Sequence, residues 1–185
     1  MSDPKSRFAA PPPTGASAVL MLADGTHFWG HGVGAVGQAV GEVCFNTAMT
    51  GYQEILTDPS YAGQIITFTF PHIGNVGAND EDIETITPAA RGLVLAADIT
   101  EPANWRALRS LDTWLKHRDL VGIGGVDTRR LTRRIRDLGA PIGVVCHDPR
   151  EKFDLAALQA KARAWPGLEG MDLAKEVTCL QPYGW

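Results

Sequence analysis

The fold class is decided by residues 110–146, "SLDTWLKHRDLVGIGGVDTRRLTRRIRDLGAPIGVVC", in which helix and strand patterns alternate. Ser110 and Asp127 belong to the residue types that cap helix N-termini, and each precedes a run with apolar residues at helical spacing. Two short apolar runs, "LVGIGG" and "PIGVVC", follow these helices and predict strands. The order helix, strand, helix, strand indicates a mixed α/β fold.

The first half of the chain predicts mainly strands. Residues 17–29, "SAVLMLADGTHFW", predict a hairpin because Asp24-Gly25 is a strong two-residue turn signal. Residues 41–48, "GEVCFNTA", and 64–70, "QIITFTF", predict two further strands, the second with a clean alternation of side chains. The glycine-rich run between residues 30 and 41 predicts a loop with unusual backbone angles.

Both ends of the chain differ from this core. Residues 1–16 are rich in Pro, Ala and Ser, which predicts a disordered tail without a signal sequence. Residues 149–185 hold Pro149, Pro166 and Pro182 together with two short helical runs, which predict a helical arm and linker. The main domain is therefore predicted to span residues 17–148.

The composition bounds the function classes. The net charge is -4, so it gives no reason to expect nucleic acid or an anionic membrane as a partner. No apolar run has the length of a membrane span. Three cysteines without a C-x-x-C motif argue against a disulfide framework and a zinc site, and the five histidines show no metal-ligand spacing. A reducing cytoplasm is the expected location.

Cys44 begins the stretch 44–64, "CFNTAMTGYQEILTDPSYAGQ", which has the residue types of an active site. A nucleophilic cysteine needs a lowered pKa, access and a nearby base, and amidotransferases place it on a glycine-flanked elbow. Cys44 instead falls mid-strand. Cys146 is adjacent to His147, but neighbouring strand residues point to opposite faces. Both are therefore interpreted as structural thiols, and a stand-alone cysteine hydrolase using Cys44 or Cys146 is the alternative.

Two other features have the residue types of a binding site, a glycine motif and a polar turn. Gly32, Gly34 and Gly37 form G-x-G-x-x-G, but a strand follows them instead of a helix, so the dinucleotide interpretation is rejected. The turn Asp58 to Tyr61 could form the edge of a pocket, with Ser60 offering a hydroxyl to a polar ligand.

The basic helix "DTRRLTRRIRD", residues 127–137, holds five arginines beside two aspartates. A nucleic-acid-binding module through the segment Arg129–Arg136 is one hypothesis, and a solvated face opposite the stripe of Leu131, Ile135 and Leu138 is another. Arginines favour protein interfaces and bidentate pairing with carboxylates, so docking to a partner protein is the preferred interpretation.

Three long motifs resemble one family. They are residues 41–80, "GEVCFNTAMTGYQEILTDPSYAGQIITFTFPHIGNVGAND", residues 110–140 and residues 161–177, "KARAWPGLEGMDLAKEV". In order and content they are similar to the N-terminal domain of the small, glutamine-hydrolysing subunit of carbamoyl phosphate synthase, from about residue 17 onward. The resemblance implies a three-layer β/β/α, swivelling-domain-like fold. It also implies that the glutamine amidotransferase domain, with the catalytic triad, lies beyond Trp185.

The resemblance also implies a role for this chain. It would dock the large subunit, which uses ATP and Mg²⁺, within a heterodimer or a higher oligomer of heterodimers. Ser60, in "TDPSY", matches a serine that the family lends to the L-glutamine site, and no catalytic residue, cofactor or metal ligand maps onto this chain. The whole enzyme would make carbamoyl phosphate from glutamine, bicarbonate and two ATP for arginine and pyrimidine biosynthesis. The isolated chain is expected to be inactive.

Overall fold

A computed structural model describes residues 11–178. Seven strands in this range form one closed barrel in the order β1, β2, β6, β5, β4, β3, β7. The strands are β1 (Ala18–Leu22), β2 (His27–Gly34), β3 (Gly37–Asn46), β4 (Gln64–Phe68), β5 (Gly92–Val94), β6 (Val121–Gly124) and β7 (Ile142–His147). The pairs from β3 through β4 and β5 to β6 are parallel, and the other pairs are antiparallel.

Five α-helices accompany the barrel in the described range. They are α1 (Tyr52–Thr57), α2 (Leu111–His117), α3 (Thr128–Leu138), α4 (Leu155–Ala164) and α5 (Leu173–Val177). The side chains of Ser110, Asp127 and Asp154 accept hydrogen bonds from the first turns of α2, α3 and α4. The mixed α/β class is thus confirmed, and the helix starts follow from N-cap chemistry.

The barrel interior is apolar because alternate residues of each strand point inward. Leu20, Phe28, Val43, Ile65 and Val145 belong to this interior cluster together with residues of α3. Leu131 and Ile135 bring α3 against the interior, on the side where β1 and β4 end. Leu138, which the sequence pattern assigned to the same stripe, is the last residue of α3 and is 70% exposed.

Two further clusters cover the outside of the barrel. Ile66, Phe68 and Leu93 on the outer face of β4 and β5 pack with Leu111 and Trp114 of α2. Both faces of β4 and β5 are buried, and their sequences are therefore nearly continuous apolar runs.

The other outer cluster joins β1 and β7 to α4. Val19, Met21 and Val144 pack there against Leu155 and Leu158. The sequence assigned α4 to an arm outside the core, but its buried face forms part of the barrel's packing. The division into a domain ending at residue 148 and a following arm remains a prediction.

The glycine-rich run 30–41 does not form the predicted loop. It lies almost wholly within β2 and β3, with a short turn between Gly34 and Gly37. A Cβ atom on Gly30 would lie 2.1 Å from the carbonyl oxygen of Gly124, and one on Gly32 would lie 1.9 Å from the imidazole of His147. These glycines therefore provide space inside a narrow barrel, where larger residues would collide with backbone or ring atoms.

Two predictions involve residues at the ends of the chain. Of the predicted disordered tail, residues 1–16, the first ten lie outside the described residues. Cys179 of the predicted arm also lies outside them. At the border of the tail, the backbone N–H of Ala16 donates to the carbonyl of Pro13 at 3.0 Å, and Ala16 is buried. No helix in residues 11–178 is long and apolar enough to cross a membrane.

Candidate functional site

Ser60 lies on a short 3₁₀ turn, Pro59–Tyr61, between α1 and β4. Asp58 precedes this turn, and its carboxylate accepts a hydrogen bond from the backbone N–H of Ser60 at 2.8 Å. Pro59 fixes the first residue of the turn, so the proline and the aspartate together explain its shape. Ser60 is exposed, and its hydroxyl has no hydrogen-bond partner within residues 11–178.

The turn is held against the end of β3 by Tyr61. The side-chain N–H of Asn46 donates to the Tyr61 hydroxyl at 2.9 Å, and the Asn46 side-chain oxygen accepts from the N–H of Ala48 at 2.7 Å. Asn46 thus links the end of β3, the following loop and the turn. The Ser60 hydroxyl is consequently presented outward from a supported backbone.

The other polar residues of this stretch mainly hold loops together. The Gln53 side chain is 3% exposed, donates to the carbonyl of Asn79 at 2.8 Å and accepts from its N–H at 3.0 Å. The buried Thr57 hydroxyl donates to the carbonyl of Gln53 at 2.7 Å and accepts from the N–H of Glu84 at 2.9 Å. These contacts satisfy buried polar groups and have a structural role.

Cys44 lies on the outer face of β3 and packs at the margin of the cluster around α2. Burial is the main reason that its pKa rises to about 11, and the charge of Glu42 raises it further. A thiol with that pKa stays protonated at neutral pH and is a poor nucleophile. The structure therefore agrees with a structural cysteine at this position.

Cys146 and His147 point to opposite sides of β7. Cys146 joins the outer cluster with α4, whereas the His147 imidazole lies at the far end of the barrel and contacts the carbonyl oxygen of Ala35 through Nδ1 at 3.0 Å. Burial and the nearby carboxylate of Asp148 raise the Cys146 pKa. Neither feature supports a cysteine and histidine pair for catalysis.

The histidines show no convergence on a metal. His31 Nδ1 lies 3.2 Å from a carboxylate oxygen of Asp98, and both residues are exposed. Within residues 11–178, no group of three or more His, Cys, Asp or Glu side chains could hold a metal ion.

The arginine side chains of α3 form two groups with different surroundings. Arg134 forms an ion pair with Asp24 in the β1–β2 turn, and the Arg130 guanidinium lies 5.3 Å from the centre of the Phe28 ring. The contacts of Arg130 and Arg134 hold α3 against the barrel. Arg129, Arg133 and Arg136 are exposed and line a separate cavity.

One further region, beside α1, was not among the candidate sites predicted from the sequence. A cavity of about 230 Å³ lies between residues 50–54, the loop around Val76 and the loop containing Asn104 and Arg106. Arg106 pairs with Asp82 at 2.9 Å, and a hydrogen bond from Asn79 is the main cause that lowers the Asp82 pKa. Trp105, beside this cavity, is 91% exposed. A tryptophan in a polar loop was the sequence signal for this region.

The chain matches the family model of the carbamoyl-phosphate synthase small chain, CPSase domain, over residues 20–145. The chain belongs to this family. The match runs from β1 into β7, so it includes nearly the whole barrel.

Full-length relatives of the same name are closely similar to the chain. A carbamoyl phosphate synthase small chain from Ruegeria pomeroyi is 65% identical over 169 residues, which are 91% of this chain and 44% of the relative. Those from Rhizobium meliloti and Caulobacter vibrioides are 62% and 61% identical and are covered over 43% and 45% of their length. The chain thus spans less than half the length of these relatives, and the family resemblance predicted from the motifs is confirmed.

Proposed function

We propose that this chain is the N-terminal module of the small subunit of glutamine-dependent carbamoyl phosphate synthase. The observation that carries the proposal is the identity of 65% over 91% of the chain, in a relative of which only 44% is covered. The remaining part of such a subunit would supply the glutamine-hydrolysing triad. The raised pKa of Cys44 and the separation of Cys146 from His147 support a chain without its own nucleophile.

The reaction of the whole enzyme would have three steps: hydrolysis of glutamine, formation of carbamate and phosphorylation of carbamate. A cysteine of the amidotransferase domain would attack the glutamine side-chain amide, release ammonia and form a thioester, which water would hydrolyse to glutamate and the free cysteine. The ammonia would displace phosphate from carboxyphosphate, made from bicarbonate and ATP on the large subunit, and a second ATP would phosphorylate the carbamate. ATP and Mg²⁺ would bind the large subunit, and the product would serve arginine and pyrimidine biosynthesis in the cytoplasm.

Ser60 would form part of the wall of the glutamine site. Its hydroxyl is exposed, without a partner in the described chain, and supported by Asp58 and by the bond between Asn46 and Tyr61. An outward hydroxyl on a fixed turn can donate or accept one hydrogen bond from a bound amino acid. The rest of the site would come from the amidotransferase domain.

The large subunit would dock on the loops beside α1. Trp105 is 91% exposed, Met49 68% and Val76 42%, and all three flank or line the cavity between these loops. Exposed apolar residues grouped in this way mark protein contacts more often than solvated surfaces. We infer further that the barrel with helices on its outer faces is this chain's version of the three-layer β/β/α arrangement.

Substitution of Ser60 tests the proposal. In the full-length small subunit assembled with the large subunit, Ser60→Ala should raise the KM for glutamine about twofold to tenfold, since one neutral hydrogen bond contributes about 0.5–1.5 kcal/mol. The rate with ammonia as nitrogen donor should not change, because ammonia bypasses the glutamine site. Steady-state assays of carbamoyl phosphate formation with each donor measure both.

Thr47→Ala is the matched control, since Thr47 is an exposed hydroxyl residue in the loop between β3 and α1. It should leave the KM for glutamine unchanged. An unaltered KM in Ser60→Ala, or an equal rise in both variants, would contradict the role of Ser60. Glutamine hydrolysis by the 185-residue chain that disappears in Cys44→Ala would instead favour the stand-alone hydrolase.

A further inference from the structure

The cavity beside α3 has an unusually uniform chemistry. Its volume is about 420 Å³, and its lining consists of Thr69, Thr128, Arg129, Thr132, Arg133 and Arg136. Every one of these side chains can donate a hydrogen bond, and none is acidic. The cavity lies at the end of β4, where Thr69 follows the strand.

The three arginines share one face of α3, since their spacing is four residues and then three. Within residues 11–178, Arg129 and Arg133 have no acidic partner, and Arg136 has only its exposed neighbour Asp137, 3.4 Å from Nε. The guanidinium groups are therefore free to bind an anion from outside.

Arginines elsewhere in the described chain are often paired. Arg109 lies 3.0 Å from a carboxylate oxygen of Asp80, and Arg150 lies 3.0 Å from one of Asp148. The chain as a whole carries a net charge of -4. A group of three arginines with two unpaired members is therefore a local feature and does not follow from an excess of basic residues.

The threonines add neutral donors to the same cavity. Thr128 is 6% exposed and lines the cavity, yet its hydroxyl has no hydrogen-bond partner among the described residues. The Thr69 hydroxyl also lacks a described partner, whereas the Thr132 hydroxyl donates to the carbonyl of Thr128 at 2.7 Å. The hydroxyls of Thr128 and Thr69 are not fully buried, so each can hydrogen-bond an oxygen atom of a ligand that enters the cavity.

We propose that this cavity binds a phosphate group, either as the free ion or as a monoester. Three guanidinium groups and two hydroxyl groups suit a tetrahedral dianion with several equivalent oxygens. A planar carboxylate carries one charge and would occupy one guanidinium fork, leaving the others unpaired. Phosphate binding in this cavity does not require the proposed role of the chain in glutamine use.

Calorimetric titration of the 185-residue chain tests the site. The titrants are inorganic phosphate, phenyl phosphate and acetate, in a low-chloride buffer without phosphate. Phosphate and phenyl phosphate should each bind saturably to one site, and acetate should bind at least about tenfold more weakly. Arg133→Gln should raise the Kd for phosphate about tenfold or more, because it removes a charge-assisted hydrogen bond.

Arg150→Gln is the matched control, since Arg150 is exposed and pairs with Asp148 outside the cavity. It should leave the Kd unchanged. Thermal unfolding without phosphate checks that Arg133→Gln folds, and Arg129→Gln provides a second test of the same cavity. The side-chain Nε–Hε signals of Arg129 and Arg133 should shift on addition of phosphate, and that of Arg134 should not.

Three outcomes would overturn the proposal. The first is the absence of saturable binding. The second is an equal loss of affinity in Arg133→Gln and Arg150→Gln, which would indicate general attraction to charge. The third is acetate binding as tight as that of phosphate, which would make the cavity a contact for carboxylates. Binding of inorganic phosphate without phenyl phosphate would overturn the part of the proposal that includes monoesters.

Discussion

At the residue scale, the stretch from Cys44 to Gln64 contains the residue types of an active site but does not assemble one. Gln53 and Thr57 are engaged with neighbouring loops, and Cys44 packs against apolar residues. The sequence predicted this outcome for Cys44 because a mid-strand position offers no elbow and no base. It could not predict the partners of Gln53, since they lie on a loop about 26 residues away.

The raised pKa of Cys44 has a consequence for stability. The pKa is about 11 in the folded chain against an ordinary value of 9.0, so both states keep the proton below pH 9. Between pH 9 and 11 the unfolded chain releases the proton and the folded chain does not, which favours unfolding. This contribution of the thiol is therefore present at neutral pH and is lost as the pH rises through that window.

We expect Cys44→Ala to lose less stability than the wild-type chain between pH 9 and 10.5. The difference in slope should be at most about 1.4 kcal/mol per pH unit. Urea unfolding of both chains at pH 7, 9 and 10.5 measures it, and the comparison cancels other groups such as Tyr52, whose pKa is also raised by burial. Parallel declines in the two chains would contradict the assignment to Cys44.

At the element scale, the helices were easier to predict than the glycine-rich strands. Local side-chain chemistry fixes a helix start, so Ser110 and Asp127 each identified one correctly. The run from Gly30 to Gly41 instead depends on what faces it across the barrel. Its local composition indicates a loop, and only the pairing with distant strands makes it β structure.

Gly30→Ala tests the crowding inside the barrel. A Cβ atom there would lie 2.1 Å from the carbonyl oxygen of Gly124, which is part of a paired strand and cannot yield easily. We expect the free energy of unfolding to fall by about 1–3 kcal/mol, the usual effect of overpacking. Chemical denaturation of the variant measures the change.

Gly124→Ala is the control from the neighbouring strand. Its added Cβ atom would have its nearest contact at 3.3 Å, with the carbonyl oxygen of Ala97, so its cost should be clearly smaller. Equal stability losses in the two variants would show that loss of glycine itself, and not the shortage of space, is responsible.

At the scale of the whole molecule, the barrel has two kinds of surface. Its outer faces are largely covered by α2 and α4, whereas the loops around Trp105 and the arginine face of α3 remain open. The sequence motifs predicted the family and an α/β class. Closure of the sheet could not be predicted, because it depends on pairings between strands such as β1 and β7 that are distant in the chain.

Trp105→Ser tests the proposed docking surface. The side chain is 91% exposed, so its loss should leave the thermal stability of the chain nearly unchanged. Binding to the large subunit should weaken about tenfold or more, as expected for a tryptophan at the centre of an interface. Titration of the full-length small subunit with the large subunit measures the affinity.

Leu138→Ser is the control for apolar exposure, since Leu138 is 70% exposed and belongs to a different element, α3. It should bind the large subunit with wild-type affinity. A loss of affinity in this variant and none in Trp105→Ser would place the interface at α3 and reject the loops beside α1.

The closed sheet also restricts how any partner can attach. In an open sheet the outermost strands expose unpaired N–H and C=O groups, which recruit extended peptides or further copies of the chain. Each of the seven strands has two hydrogen-bonded neighbours, so the barrel lacks such an edge. Within residues 11–178, the barrel therefore has no outermost strand for assembly by strand addition. Recognition must instead use side chains on loops and helices, where single substitutions can tune one contact without unravelling the sheet.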